Sequence, residues 1–175
     1  MYNPATAFPL NSLVQTLLHD KDTSTLTPGE RETIAAYVSR GNECRYCCET
    51  HAAAARVHLG EQRGIVDQVL ANAASAPVTP KMKALLAIAD KVRRDGRLVL
   101  PEDVEKARAQ GADDQAIHDT VLIAAAFCMF NRYVDGLGTS LPADPADYKA
   151  SGVRLAESGY VQTDYSKFRG DWKRP

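Results

Sequence analysis

Three of the chain's four cysteines and one of its four histidines fall within GNECRYCCETHAAAA, residues 41–55. Cys44 and Cys47 form a C-x-x-C pair, Cys48 follows at once, and His51 stands one helical turn beyond Cys47. Residues of these types serve a disulfide staple, a zinc site or a redox centre. At about 100° per residue, a helix brings Cys44, Cys47 and His51 to one face with Cys48 beside them. Free N–H groups at the start of such a helix stabilise thiolate, and His51 is placed to exchange a proton with Cys47. A thiolate beside a second thiol reacts with peroxide to give a sulfenic acid, which the second thiol converts to a disulfide. The short spacing makes that closure nearly unimolecular, and an external dithiol must then reduce the pair by exchange. Upstream, Glu32 precedes Cys44 by twelve residues on the preceding helix. A buried carboxylate there orients the imidazole and relays protons, following nucleophile–base–orienter logic; an exposed one is simply part of a solvated helix face.

The elements that must position these groups read as helices. TPGERETIAAYVSRGN (27–42) opens with Thr27 as N-cap, Pro28 at the first helical position and Glu30 completing a capping box; Gly41 closes it. Residues 43–60 continue with four alanines in a row, the strongest helix formers, and stop at Gly60. Further helices are expected over 8–19, 61–72, 79–96, 101–111, 113–138 and 145–158, with 72–80 as a connector. The helix over 113–138 is apolar all round at its centre, as a helix buried in a bundle or an oligomer interface is. Only RLVL at 97–100 hints at strand alternation. The tail beyond Gly159 is irregular and concentrates Tyr165, Phe168 and Trp172, which lie on their own domain or across a neighbouring subunit. The reading is an all-α domain.

With 175 residues, the chain is long enough to bury one core without staples. It is 45% hydrophobic and 25% charged, with 21 basic against 22 acidic residues and a net charge of −1. That balance offers no electrostatic footprint for nucleic acid or an anionic membrane surface. The longest apolar run, VLIAAAFCMF at 121–130, is about half the ~20 residues of a membrane span. The N-terminus lacks a basic region followed by a hydrophobic one, so no signal peptide is expected. The expected location is therefore a reducing cytosol, where paired cysteines serve catalysis or metal more often than structure. Clustered cysteines also make a poor staple, since a disulfide scaffold spreads them along the chain.

The stretch LTPGERETIAAYVSRGNECRYCCETHAAAA, with FNRYVDGLGT near the end of the long helix, resembles the AhpD-like alkylhydroperoxidase branch of the carboxymuconolactone decarboxylase superfamily. That pattern is a Glu on one helix, about a dozen residues, then C-x-x-C-x-x-x-H, matched at Glu32, Cys44, Cys47 and His51. The similar stretch runs over about 26–138, leaving 139–175 as an extension of a single domain spanning 1–175. The resemblance implies a helical bundle assembled into homotrimers or homohexamers, with no haem, metal or other cofactor. It implies a dithiol peroxidase in which Cys47 is the peroxidatic thiol, Cys44 the resolving thiol and proton donor, and Glu32 with His51 the proton relay. Its partners would be a hydroperoxide and a dithiol reductant, such as a lipoyl-bearing protein. The residues alone leave the thiol roles open: the helix terminus favours Cys44 as the lower-pKa thiol, proximity to His51 favours Cys47. Two positions depart from the pattern, which has histidine before the second cysteine where this chain has Tyr46, and no third thiol like Cys48. Tyrosine there hydrogen-bonds but cannot act as a base near neutral pH, and Cys48 reads as a small inward-packed hydrophobe.

Rival readings share the same residues. Zinc would take Cys44, Cys47 and His51 with Glu32 or Cys48, yet ligands crowded on one helix face make poor tetrahedral geometry. A lactone-type enzyme of the decarboxylase branch has no need of a C-x-x-C pair, and a redox sensor would use the dithiol without turnover. His19, His58 and His118 lack a nearby nucleophile in sequence, Cys128 sits in the apolar AAAFCMF run as inert core, and Asn131, Arg132 and Tyr133 read as helix-end and packing residues.

Overall fold

The computed structural model describes residues 3–161; the aromatic residues Tyr165, Phe168 and Trp172 lie outside the described residues. Helix α1, Pro4–Val14, runs into one π-helical turn, Gln15–His19. There follow α2 (Pro28–Gly41), α3 (Arg45–Leu59), α4 (Gly64–Asn72), α5 (Pro80–Arg94), α6 (Pro101–Ala109), α7 (Asp114–Gly136) and α8 (Ala146–Ser158). No strand occurs among the described residues, as the all-α reading requires. RLVL does not extend a sheet: its first residues close a 3₁₀ turn at Gly96–Leu98, and its last, Leu100, leads into α6. Alternation over four residues has no force without a neighbouring strand to bond.

The helix starts follow the local chemistry. The Thr27 hydroxyl accepts the Glu30 N–H at 3.2 Å while Glu30 Oε2 accepts the Thr27 N–H at 2.9 Å, closing the expected capping box. Thr79 and Asp113 cap α5 and α7 by accepting from Met82 and Ala116 at 3.1 and 2.7 Å.

Helix α2 is the centre of the bundle. It packs most extensively on α3 and also against α5 and α7, while α3 backs onto α8. Because neighbours surround it, α2 buries not only Ile34, Ala35 and Val38 but also Arg31, Glu32 and Ser39. The alanine run Ala52–Ala55 is buried throughout α3, and its short side chains let α2 and α8 approach closely from opposite sides. Large apolar residues of α5 and α7, Leu85, Ile88, Ile123 and Phe127 among them, complete the core; each contributes roughly 1.5–3 kcal/mol of burial free energy. Buried Arg31 anchors the first segment to this centre. Its guanidinium donates to the Leu17 and Asp20 carbonyls at 3.3 and 2.8 Å, satisfying acceptors left open where the π-helical turn ends.

Candidate active site

The dithiol sits where α2 hands over to α3. Asn42 ends α2, and Glu43 takes a left-handed φ of +60°, rare for a residue with a side chain. That reversal delivers Cys44 to the N-cap of α3 in extended conformation. Cys44 is therefore not on the helical face that a wheel through 43–60 assigns it; it stands at the open, electropositive end of the helix. Cys47, Cys48 and His51 follow within the helix, and all three are buried. The four cysteines are free thiols.

The two thiols of the pair interact directly, and burial raises the pKa of both. For Cys44 the Cys47 N–H partly offsets that rise, although the Cys44 side chain closes no capping hydrogen bond of normal geometry. The Asp135 carboxylate, facing Cys44 from α7, pushes the same way as burial. Cys47 is raised strongly, first by burial and then by Cys44, with the Asn131 amide opposing. Burial and the Glu49 carboxylate push Cys48 up to about 11, against Arg40 and Arg56. In this resting state, then, charge is withheld from all three sulfurs.

Glu32 and His51 meet as expected. Glu32 Oε2 lies 2.8 Å from His51 Nδ1, with Glu32 1% and His51 7% exposed. With Nδ1 bonded to the carboxylate, Nε2 is the nitrogen left for proton exchange. Phe127 meets the imidazole edge-on, 4.6 Å between centroids at 88°. Tyr160, from the segment after α8, adds its hydroxyl to Glu32 Oε1 and lies parallel to the imidazole.

Asn131 is 1% exposed and donates to Ser39 Oγ at 2.9 Å, while its Oδ1 accepts from Asn42 Nδ2 at 2.9 Å. It thus pins α7 to α2 and to the turn before Cys44 while its amide meets Cys47. Sequence reasoning left Asn131 and Asp135 aside; the usable signal was two polar residues one turn apart at the end of an apolar helix. Tyr160 carried no such signal.

A cavity of about 210 Å³ opens onto the thiols, lined by Arg40, Cys44, Cys48 and Glu49 among others. A larger one of about 1020 Å³, between α3 and α8, shares Arg45 and Glu49 with it and adds Arg56, Arg63, Tyr148 and Lys149. Cys47 lines neither, so Cys44 is the sulfur of the pair that faces the nearer cavity. Tyr46 packs edge-on against Tyr148, centroids 6.3 Å apart, and burial raises its phenol pKa, so it is no base. His118 pairs with Asp119 at an exposed site, 3.0 Å apart, and His19 ends the π-helical turn. His58 is half-buried, its pKa lowered by desolvation. Cys128 is half-buried and meets the Asn42 amide at 3.5 Å and the Arg93 carbonyl at 3.7 Å. Among the described residues no group of three His, Cys, Asp or Glu side chains is arranged to hold a metal ion, and no helix is long and apolar enough to cross a membrane.

The sequence matches the carboxymuconolactone decarboxylase family over residues 10–91, a stretch holding Glu32, Cys44, Cys47 and His51. No curated protein matches the chain. Among solved structures it is similar to an alkylhydroperoxidase AhpD core, an uncharacterized peroxidase-related protein from Ralstonia eutropha. The two share 29% identity with a TM-score of 0.70, over 85% of this chain and 73% of that one. It is also similar to an uncharacterized peroxidase-related protein from a Silicibacter species, at 27% identity and a TM-score of 0.72, over 82% and 72% of the two chains.

Proposed function

We propose, for a chain that belongs to the AhpD-like branch of the carboxymuconolactone decarboxylase superfamily, a dithiol peroxidase activity at Cys44 and Cys47. The observation that carries this reading is the buried Glu32–His51 bridge set one helical turn from a free thiol pair. A carboxylate holds the imidazole in one orientation, and the imidazole is positioned to take the proton of a thiol whose own surroundings keep it neutral.

In the proposed cycle His51 Nε2 receives the Cys47 proton as the sulfur attacks an oxygen of the hydroperoxide. The O–O bond breaks, the alcohol leaves with a proton, and Cys47 holds a sulfenic acid. The Cys44 sulfur then attacks the Cys47 sulfur, its proton passing to the departing hydroxide, and water leaves as the disulfide forms. The two electrons lost by the thiols return from an external dithiol, which a lipoyl-bearing protein would supply, entering at the cavity that faces Cys44. Homotrimeric or homohexameric assembly belongs to the same proposal.

The reverse division of labour has support of its own, because Cys44 stands at the helix terminus and faces the nearer cavity. One experiment separates the cases. The reduced protein is treated with one equivalent of an organic hydroperoxide, and its mass and peptides are compared before and after. Loss of two hydrogens localised to Cys44 and Cys47, reversed by dihydrolipoamide, is the expected result, and unchanged thiols overturn the proposal. With Cys44→Ser the sulfenic acid should be trapped at Cys47; trapping it instead at Cys44 in Cys47→Ser reverses the roles.

A further inference from the structure

A buried carboxylate is stable only when donors replace its water, and Glu32 has a donor on each oxygen. Oε2 is bonded to His51 Nδ1 and Oε1 to the Tyr160 hydroxyl. Tyr160 reaches this point from the far end of the chain, just beyond α8. Its ring lies 18° from the plane of the imidazole, centroids 5.9 Å apart, and its oxygen is 3.3 Å from His51 Nδ1. The imidazole is thus held between Phe127 on its edge and Tyr160 on its face.

The segment carrying Tyr160 is itself fixed. The Tyr160 N–H donates to Gln15 Oε1 at 2.7 Å, and Gln15 Nε2 donates to Asp20 at 2.8 Å. Gly159 has a φ of +71°, a backbone conformation that residues with a Cβ rarely adopt. Position 159 therefore suits glycine for its backbone. A tail draped by default over a domain surface needs neither the strap nor the glycine. Burial and the adjacent Glu32 charge hold the phenol pKa well above its ordinary value, so the hydroxyl remains a donor.

From this geometry we infer that Tyr160 is a positioning residue of the thiol site. By occupying Oε1 it leaves Oε2 to His51, fixes the imidazole as the Nδ1–H tautomer, and leaves Nε2 as the nitrogen free to exchange a proton. The inference rests on the reading of His51 as the proton acceptor of Cys47, but not on turnover of any hydroperoxide.

The test is Tyr160→Phe in the full chain, which keeps the ring and its stacking and removes only the donor. Nitrogen-resolved imidazole spectra of the wild type should show one His51 tautomer with a slowly exchanging Nδ1 proton. In the variant that proton should broaden, both tautomers should appear, and alkylation of Cys47 by N-ethylmaleimide, followed by peptide mass, should slow about tenfold, as loss of a hydrogen bond to a charged group does. Gln15→Ala, which unties the strap but keeps the phenol, should move both readouts the same way by less. It also serves if Tyr160→Phe fails to fold. A His51 spectrum and a Cys47 rate equal to wild type in the folded variants would overturn the inference. If the wild type reduces no hydroperoxide while both readouts still respond, the peroxidase reading fails and the positioning role stands.

Discussion

Glu32 Oε2 and His51 Nδ1 face each other at 2.8 Å across the α2–α3 interface, with both side chains buried. The bridge is the only polar link the site makes between these helices at that depth that involves an ionisable imidazole among the described residues. Replacing Glu32 by Gln keeps the size and one acceptor but removes the charge and turns an N–H₂ toward either His51 or Tyr160. Alkylation of Cys47 is expected to fall by roughly tenfold to a hundredfold, the cost of losing an orienting partner. Rates measured on folded wild type and variant at one pH check this, and equal rates would show that the imidazole needs no carboxylate.

Burial sets the alkaline limit of stability. Cys48 is held near 11 when folded, two units above its ordinary value of 9. Below pH 9 the thiol is protonated in both states and its contribution is fully present. As pH rises from 9 toward 11 the unfolded chain gives up its proton first, so stability falls through that window, by about 2–3 kcal/mol for this thiol. Cys44 and Cys47 act in the same direction. Urea midpoints at pH 8 and pH 10.5 should therefore differ less in Cys48→Ala than in wild type. An identical difference would mean that Cys48 is solvated in the native protein.

What the sequence disclosed and what it hid divide along the range of the interaction. Thr27, Pro28 and Glu30 act within one turn, so their cap was legible, and so was the spacing of Cys44, Cys47 and His51 along one segment. Glu32 was legible only through the family pattern, because an isolated carboxylate on an amphipathic helix is usually solvated. The N-cap geometry of Cys44 depends on a left-handed Glu43, which no propensity announces. Tyr160 meets Glu32 across 128 positions, and Asn131 meets Ser39 across 92. Such contacts exist only once α7 and α8 have packed, and nothing local marks the residues that will make them.

Arg31 was equally hidden, and it supports a stability prediction. It is fully buried, donates to the Leu17 and Asp20 carbonyls, and has Asp119, Glu32 and Asp20 as its nearby carboxylates. Desolvation lowers its pKa and those three charges oppose the drop. Arg31→Met leaves the two buried carbonyls without their donor and the nearby carboxylates without an opposing charge, at a cost of about 3–5 kcal/mol, or a Tm lower by about 10 °C. Arg31→Lys should recover little of this, since one ammonium cannot span both carbonyls. Thermal melts of the three proteins decide it, and near-equal Tm values for wild type and Arg31→Met would rule out an anchoring role.

Gly152 sets two physical effects against each other. In the middle of a helix, glycine to alanine normally stabilises by about 1 kcal/mol, because alanine loses less backbone entropy. At Gly152, however, a Cβ would stand 2.6 Å from the Ala53 carbonyl carbon and 2.7 Å from the Ala53 Cβ. Neither atom is the end of a flexible side chain, so relief requires α8 to move off α3, at about 1–3 kcal/mol for an overpacked contact. Overpacking should win, and Gly152→Ala should unfold at lower urea than wild type. The displacement should also travel along α8 to Gly159 and Tyr160, so Cys47 alkylation should slow in the same direction as in Tyr160→Phe. A variant more stable than wild type would mean that α8 does not press on α3 as closely as Ala53 and Gly152 indicate. A destabilised variant with an unchanged Cys47 rate would mean that the strap at Gln15, rather than the seat of α8, sets the place of Tyr160.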